Sequence, residues 1–346
     1  MTKPPLTLHD FLQQIGARPL FFDLGRRIGE IPAERLRAFE EAREPWPSPF
    51  QQAAWLGILF HASDGEPHLW FLRFPLDERG LLVQAARDEF LRGLLATAAQ
   101  GGETAGPQDN PFGFKPNETQ MAVLHAQIAR RLAQPASPHY AHALAYFRGE
   151  QGFDQWQFVG LQGIADLAMR QHEHTALLAA AIPQLPAEPF NVLCSALESE
   201  AIEAPLFDAI ATRLRTMLTD GADAVHLAAG LRGVAGTADR QRLTGLLGEV
   251  LATPQGAHPE ILAAIAGRAW EALYDDALRG RFLQRLADSG QRAFDSILAD
   301  LLFLPVLRTL LLADIRSADQ PPAVRQAVTA FVQRFGQTNA REGEPS

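Results

Sequence analysis

Apolar positions along the chain change period once. Up to about residue 100 they mix helical and strand spacing; beyond about residue 115 nearly every apolar run repeats at helical spacing. In the first part, "TLHDFLQQIGA" (7–17) predicts a short helix. Thr7 is its cap, Leu8, Phe11, Leu12 and Ile15 share a face, and Gly16 is the stop. "PLFFDL" and "RIGEI" predict two short strands around Gly25, and "PAERLRAFEEAR" (32–43) a helix with Pro32 at its start. The runs 53–61 and 68–75 are apolar and aromatic, and Asp64–Gly65 lies between them, which predicts a hairpin. A helix is expected from Asp77 to Ala99, capped by Asp77. A Gly- and Pro-rich linker over 100–114 follows.

Past the linker the pattern is almost purely helical. Asn117 with Gln120 forms a capping-box pattern, Ser137 and Pro138 mark another start, and Asp154 with Gln157 repeats the cap pattern. Prolines 183, 186, 205, 254, 259, 321 and 322 and glycines 221, 236 and 290 mark short turns between further helices. Four segments starting at Leu161, Leu193, Leu227 and Leu262 each place small residues behind a leucine, at spacings of 32, 34 and 35 residues. That period suits stacked helical hairpins of the HEAT or tetratricopeptide kind, with an irregular bundle as the competing reading. The expected fold class is α+β: a small antiparallel sheet with helices over 1–110, then an all-α, HEAT-like or solenoid-type domain over 111–340. A disordered tail is expected over 341–346.

Charge narrows the function classes. The net charge is −9, from 31 basic and 40 acidic residues, and only Lys3 and Lys115 among the basic residues are lysines. No basic run exceeds the pairs Arg26–Arg27 and Arg130–Arg131, so the stripe that a nucleic-acid binder uses to neutralise phosphates is missing from the sequence. The most apolar run, 297–315, is broken by Asp300, Pro305, Arg308 and Asp314, short of the roughly 18 uncharged residues of a spanning helix. Prolines 4 and 5, with His9 and Asp10, interrupt any apolar signal segment. The one cysteine, Cys194, rules out an internal disulfide and a Cys-based zinc site, which suits a reducing compartment. A cytoplasmic protein with no membrane or nucleic-acid partner is expected.

Four stretches together carry a family likeness: "FDLGRR" (22–27), "LWFLRFPLDERGLL" (69–82), "NPFGFKPNETQMAVLHAQ" (110–127) and "FDQWQFVGLQGIADL" (153–167). In order and spacing they resemble an uncharacterised gammaproteobacterial family, domain of unknown function 3549. The resemblance implies a bacterial cytosolic protein and brings no catalytic residues with it.

"FDLGRR" is the first stretch with the ingredients of chemistry. Asp23 and Gly25 fit the first and third positions of a type II turn, which would give Gly25 a positive φ. Arg26 and Arg27 then alternate faces on the following strand, and a phosphate loop would need more glycines and an immediate helix. Asp77 and Glu78 read as a helix start, with Asp88 and Glu89 beside Arg87 and Arg92 on a solvent face. His139 and His142 share a helix face. His172 and His174 do not, and are expected to meet the C-terminal carbonyls of the helix before them. Neither pair has a third ligand in reach of the pattern, so no metal is expected. Cys194 reads as a buried, inert thiol, and Trp55, Trp70, Phe71, Trp156 and Phe158 mostly as core. No catalytic residues and no cofactor are assigned. The pattern points to a non-enzymatic protein-interaction or scaffold protein with a protein partner. The alternative is an enzyme or a small-ligand or anion-binding protein with its site at the junction of the two domains, using Arg26, Arg27, Arg73, Lys115 and Trp156.

Overall fold

A computed structural model describes residues 7–61, 67–99, 110–317 and 319–342. The chain divides into two compact units, Met1–Gln120 with Leu302–Val306, and Met121–Leu301 with Leu307–Ser346.

The first unit orders as α1 (Leu8–Gln14), β1 (Leu20–Asp23), β2 (Gly29–Ile31), α2 (Ala33–Glu40), β3 (Ala53–His61), β4 (Pro67–Pro75) and α3 (Gln84–Ala99). The strands form one antiparallel sheet in the order β2-β1-β3-β4. Strand alternation puts Leu56, Ile58 and Phe60 of β3 and Trp70, Leu72 and Phe74 of β4 on one face. They share a core with Phe11 and Leu12 of α1, Leu36 and Phe39 of α2, and Phe90, Leu91 and Leu94 of α3. Trp70 sits edge-on to Phe60 and Phe90, with centroids 4.7 and 6.1 Å away. Burying each such ring stabilises the fold by roughly 1.5–3 kcal/mol.

The expected caps are met in part: the helix expected from Ser137 starts at Tyr140, with His139 before it and no side-chain cap bond. Thr7 accepts the amide of Asp10, and Gly16 ends α1 at φ +77°. The expected helix over 77–99 starts later, at Gln84. Asp77 instead closes a turn, accepting the amides of Arg79 (2.9 Å) and Leu81 (2.8 Å), and Leu76 bridges Leu82. Gly80, at φ +77°, permits that turn. The hairpin turn expected at Asp64–Gly65 and residues 100–109 of the expected linker lie outside the described residues. Residues 112–114, on the far side of the compositional boundary at 110, pair with β4. The Arg73 amide donates to Phe112 O (2.7 Å), and the Phe114 amide to Phe71 O (3.2 Å).

The second unit is helical: α4 (Glu118–Arg131), which begins at the end of the first unit, then α5 (Tyr140–Phe147), α6 (Leu161–Met169), α7 (Gln171–Ala181), α8 (Ala187–Leu197), α9 (Ala204–Thr219) and α10 (Ala224–Val234). There follow α11 (Arg240–Ala252), α12 (Pro259–Arg268), α13 (Asp276–Asp288), α14 (Gln291–Leu301), α15 (Pro305–Arg316) and α16 (Pro322–Glu342). The expected tail begins two residues inside α16, and 343–346 lie outside the described residues. Asn117 and Gln120 cap α4 reciprocally, at 3.1 and 2.9 Å. The helix expected from Asp154 is a 3-10 segment, Phe153–Phe158, with no buried residue; α6 starts only after the extended Val159 and Gly160.

The faint repeat is a packing period. Its four leucine segments fall on α6, α8, α10 and α12, and each of these helices lies against the next, with α14 continuing the row. A second row runs α5, α7, α9, and α11 against α13. Polar side chains tie successive elements across about one period. Arg215 pairs with Glu249 (2.7 Å) and Arg242 with Asp208 (2.8 Å), joining α9 to α11. Arg281 and Arg285 of α13 donate to Gly248 O (3.0 Å) and Leu251 O (2.7 Å) of α11. Arg279, buried, reaches Asp314 at 2.5 Å.

Small residues in the leucine segments set how near the helices come. A Cβ on Gly233 of α10 would stand 2.8 Å from Cys194 Sγ and 3.1 Å from Cys194 Cα on α8. A Cβ on Gly267 of α12 would meet nothing within 4 Å. We therefore expect opposite signs from one substitution. In urea unfolding, Gly233→Ala should lose about 1–3 kcal/mol through overpacking, and Gly267→Ala should gain up to about 1 kcal/mol from helix propensity. Equal effects would show that the repeat glycines do not set the helix spacing.

Candidate functional site

The loop after β1 differs from its expected form. Gly25 is not among the positive-φ glycines, so the turn is not type II. Its amide donates to Asp23 Oδ1 (2.8 Å), and a Cβ there would stand 3.2 Å from Asp23 Oδ1 and Phe50 Cβ and 3.4 Å from Trp55 Cδ1. Space, not backbone conformation, calls for glycine. Arg26 is not a surface residue either. It is fully buried, donates from Nε to Pro49 O (2.7 Å) and lies over the Phe50 ring at 5.6 Å. Arg27 is half-buried.

Asp23 is buried with it, accepting also from Ser48 Oγ. Burial raises its pKa to about 6, outweighing the Ser48 and Gly25 hydrogen bonds and the Arg26 charge. The stretch that looked most like an anion site is thus a polar part of the core.

From Phe50 a row of aromatic rings runs outward. The chain turns between Phe50 and Ala53 through Gln51 and Gln52, both left-handed at φ 50° and 59°, where two-residue hairpin turns usually place Asn or Gly. Two such non-glycine residues store roughly 1–3 kcal/mol each. Nothing in the composition of "PFQQAA" signals this turn. The Phe50 and Trp55 rings lie 6.4 Å apart, and the Trp55 indole N–H is fixed on Phe50 O (2.8 Å). Arg73 lies over Trp55 at 4.8 Å, and Phe114 meets Trp55 edge-on, also at 4.8 Å. Arg73 and Lys115 are exposed. Trp156 belongs to the helical unit, half-buried within Phe153–Phe158. Trp70 is core, Trp55 and Phe71 are half-buried, and Phe158 is exposed.

A second buried carboxylate lies where α1 meets α2. Glu40 Oε1 accepts the Leu8 amide (2.6 Å), and Oε2 has no hydrogen-bond partner among the described residues. Burial raises the Glu40 pKa to about 7 against the lowering pull of the Leu8 and His9 amides and of Arg87. Arg87, expected on a solvent face, is buried and donates to Glu40 O (2.6 Å) and to Asp88.

The histidines take other places than expected. "HEH" opens α7 instead of closing the helix before it. His174 Nε2 stands 2.6 Å from the Tyr140 hydroxyl, and exposed His172 lies beside Glu173 (3.7 Å). Arg170 stacks over Tyr140 (5.7 Å) and pairs with buried Asp166 (3.5 Å), which accepts the Ser137 amide. Burial raises the Tyr140 pKa, so the phenol stays neutral. Cys194 is fully buried, and desolvation pushes its thiol well above the ordinary range. A hollow of about 450 Å³ is lined by Arg240, Gln241, Thr244, Glu271, Tyr274 and Asp275, with Arg240 and Glu271 paired across it at 2.5 Å. Among the described residues, no group of three His, Cys, Asp or Glu side chains is placed to hold a metal ion, and no helix is long and apolar enough to cross a membrane.

A family model matches residues 6–332, nearly the whole chain. The chain belongs to the DUF3549 family, described as protein of unknown function. The four stretches that carried the resemblance all fall inside the DUF3549 match. Neither the curated proteins nor the solved structures contain a match.

Glu40 and Asp23 both make the first unit less stable as pH rises, Glu40 over the higher range. The folded Glu40 pKa of about 7 lies above the ordinary 4.5, so the native state keeps a proton that the unfolded chain releases. The Glu40 contribution is complete below about pH 4.5 and is lost as pH rises through 7. Glu40→Gln keeps an acceptor for the Leu8 amide and removes the titration. Thermal melts from pH 5 to 8 should therefore show a smaller fall in Tm for the variant than for the wild type. Parallel curves would mean that ionised Glu40 is accommodated without penalty.

Proposed function

We propose that the protein is a non-enzymatic interaction protein that holds a protein partner on the surface of its HEAT-like helical unit. One observation carries the reading: Phe158 is 71 % exposed on a segment that is itself anchored. The Tyr146 hydroxyl donates to Phe153 O (2.9 Å), and the two rings meet edge-on at 5.7 Å. Phe153 thus holds the 3-10 segment down while Phe158 projects into solvent and Trp156 stays half-covered. An exposed aromatic costs solubility, and on a fixed segment it loses little entropy on docking, which is the usual make-up of an interface anchor. The stack of helices behind it supplies the extended surface on which repeat proteins bind their partners. A cytoplasmic, bacterial setting fits the single buried thiol and the family likeness.

Phe158→Ala tests this. The side chain packs on little, so stability should change by no more than about 0.5 kcal/mol. Affinity purification from cells of the source organism, quantified by mass spectrometry, should retain a partner with the wild type. The variant should lose it at least tenfold, as expected for an anchor worth about 2 kcal/mol. Equal retention by both proteins would contradict an interface at this segment.

A further inference from the structure

The aromatic row of the first unit ends in two exposed cations, and their chemistry specifies a ligand. Arg73 projects from β4, its guanidinium 4.8 Å above the Trp55 ring, and among the described residues no acidic side chain pairs with it. Arginines of the helical unit differ: Arg130 makes a bidentate pair with Glu200 (2.7 and 2.8 Å), and Arg215, Arg242 and Arg334 each hold a carboxylate. Held against the ring and exposed to solvent, the guanidinium can offer two N–H groups to one oxyanion.

The platform beneath is rigid. The Trp55 indole is tethered to Phe50 O at 2.8 Å, and Phe114 is wedged edge-on against Trp55 and against Phe71 (5.8 Å). The backbone of Phe114 is itself bonded to β4, which fixes the position of exposed Lys115 directly after it. Fixed aromatic area beside two cations, on a chain of net charge −9, is locally opposite in sign to the molecule that carries it.

We propose that Arg73, Trp55, Phe114 and Lys115 form a binding site for an acidic peptide segment of a partner protein. The guanidinium fork takes one carboxylate, Lys115 attracts a second, and the uncovered surface of the half-buried rings takes an apolar side chain. A nucleic acid fits this surface poorly, because its affinity comes from neutralising a run of phosphates and the chain as a whole repels it. A free inorganic anion would leave the rings unused. The site lies in the first unit and is independent of the Phe158 reading; either can fail alone.

The test is fluorescence anisotropy of the full-length protein with a fluorescein-labelled peptide of alternating glutamate and leucine pairs, in 50 and 150 mM salt. Saturable binding that weakens with salt is expected. Arg73→Gln and Lys115→Gln should each weaken it at least fivefold, and Arg73→Lys nearly as much as Arg73→Gln. Arg35→Gln, which removes an exposed charge on α2, should leave it unchanged. The proposal is overturned by an absence of saturable binding or by an equal loss in the Arg35 variant. It is also overturned if a glutamate-only peptide binds equally well, if millimolar phosphate displaces the peptide, or if single-stranded DNA binds more tightly.

Discussion

The helical unit depends on contact between helices one repeat apart. In the row α6, α8, α10, α12, each helix packs against the next. Cys194 against Gly233 shows the constraint at its tightest, with a glycine on α10 accepting the side chain of α8 at a distance no other residue allows. The arginines reinforce the same neighbour contacts. Their partners lie 33–35 residues away at Arg215, Arg242, Arg279, Arg281 and Arg285, which is the repeat period itself.

This explains a compositional oddity. With Lys3 and Lys115 the only lysines, the protein uses arginine almost exclusively. A tie between helix ends has to satisfy carbonyls and carboxylates in one geometry, and a planar five-donor group does so where a flexible ammonium does not. Arg279 is the fullest case: it is buried and touches Asp276, Asp314, Leu273 O and Tyr274 O at once. Many of the arginines of the helical unit therefore belong to the architecture.

What the sequence made legible was local. The α1 and α4 caps, the β3–β4 hairpin, the two-strand frame of "FDLGRR" and the repeat period all rest on spacings within a few residues or on a recurring pattern. The errors have a common cause, which is a partner far away in sequence. Arg26 is buried because Pro49 O lies 23 residues on, and Arg87 because Glu40 O lies 47 residues back. His174 meets Tyr140 across 34 residues. The late start of α3 is different, since Asp77 had two local options and the turn through Gly80 satisfied its carboxylate first. Of the suggested binding residues, Arg26 belongs to the core and Arg73 and Lys115 to the surface. A one-dimensional pattern does not separate these, because all three lie beside short apolar or aromatic runs.

Coupling between neighbouring helices of the helical unit can be read helix by helix in hydrogen–deuterium exchange. Arg279→Met keeps the apolar stem and removes the ties to Asp314 and to the carbonyls of 273 and 274. Faster exchange is expected in α13 and in the part of α15 around Asp314, with α6 and α8 protected as in the wild type. A uniform rise in exchange from α6 to α16 would contradict this expectation, showing a single cooperative core in place of a stack.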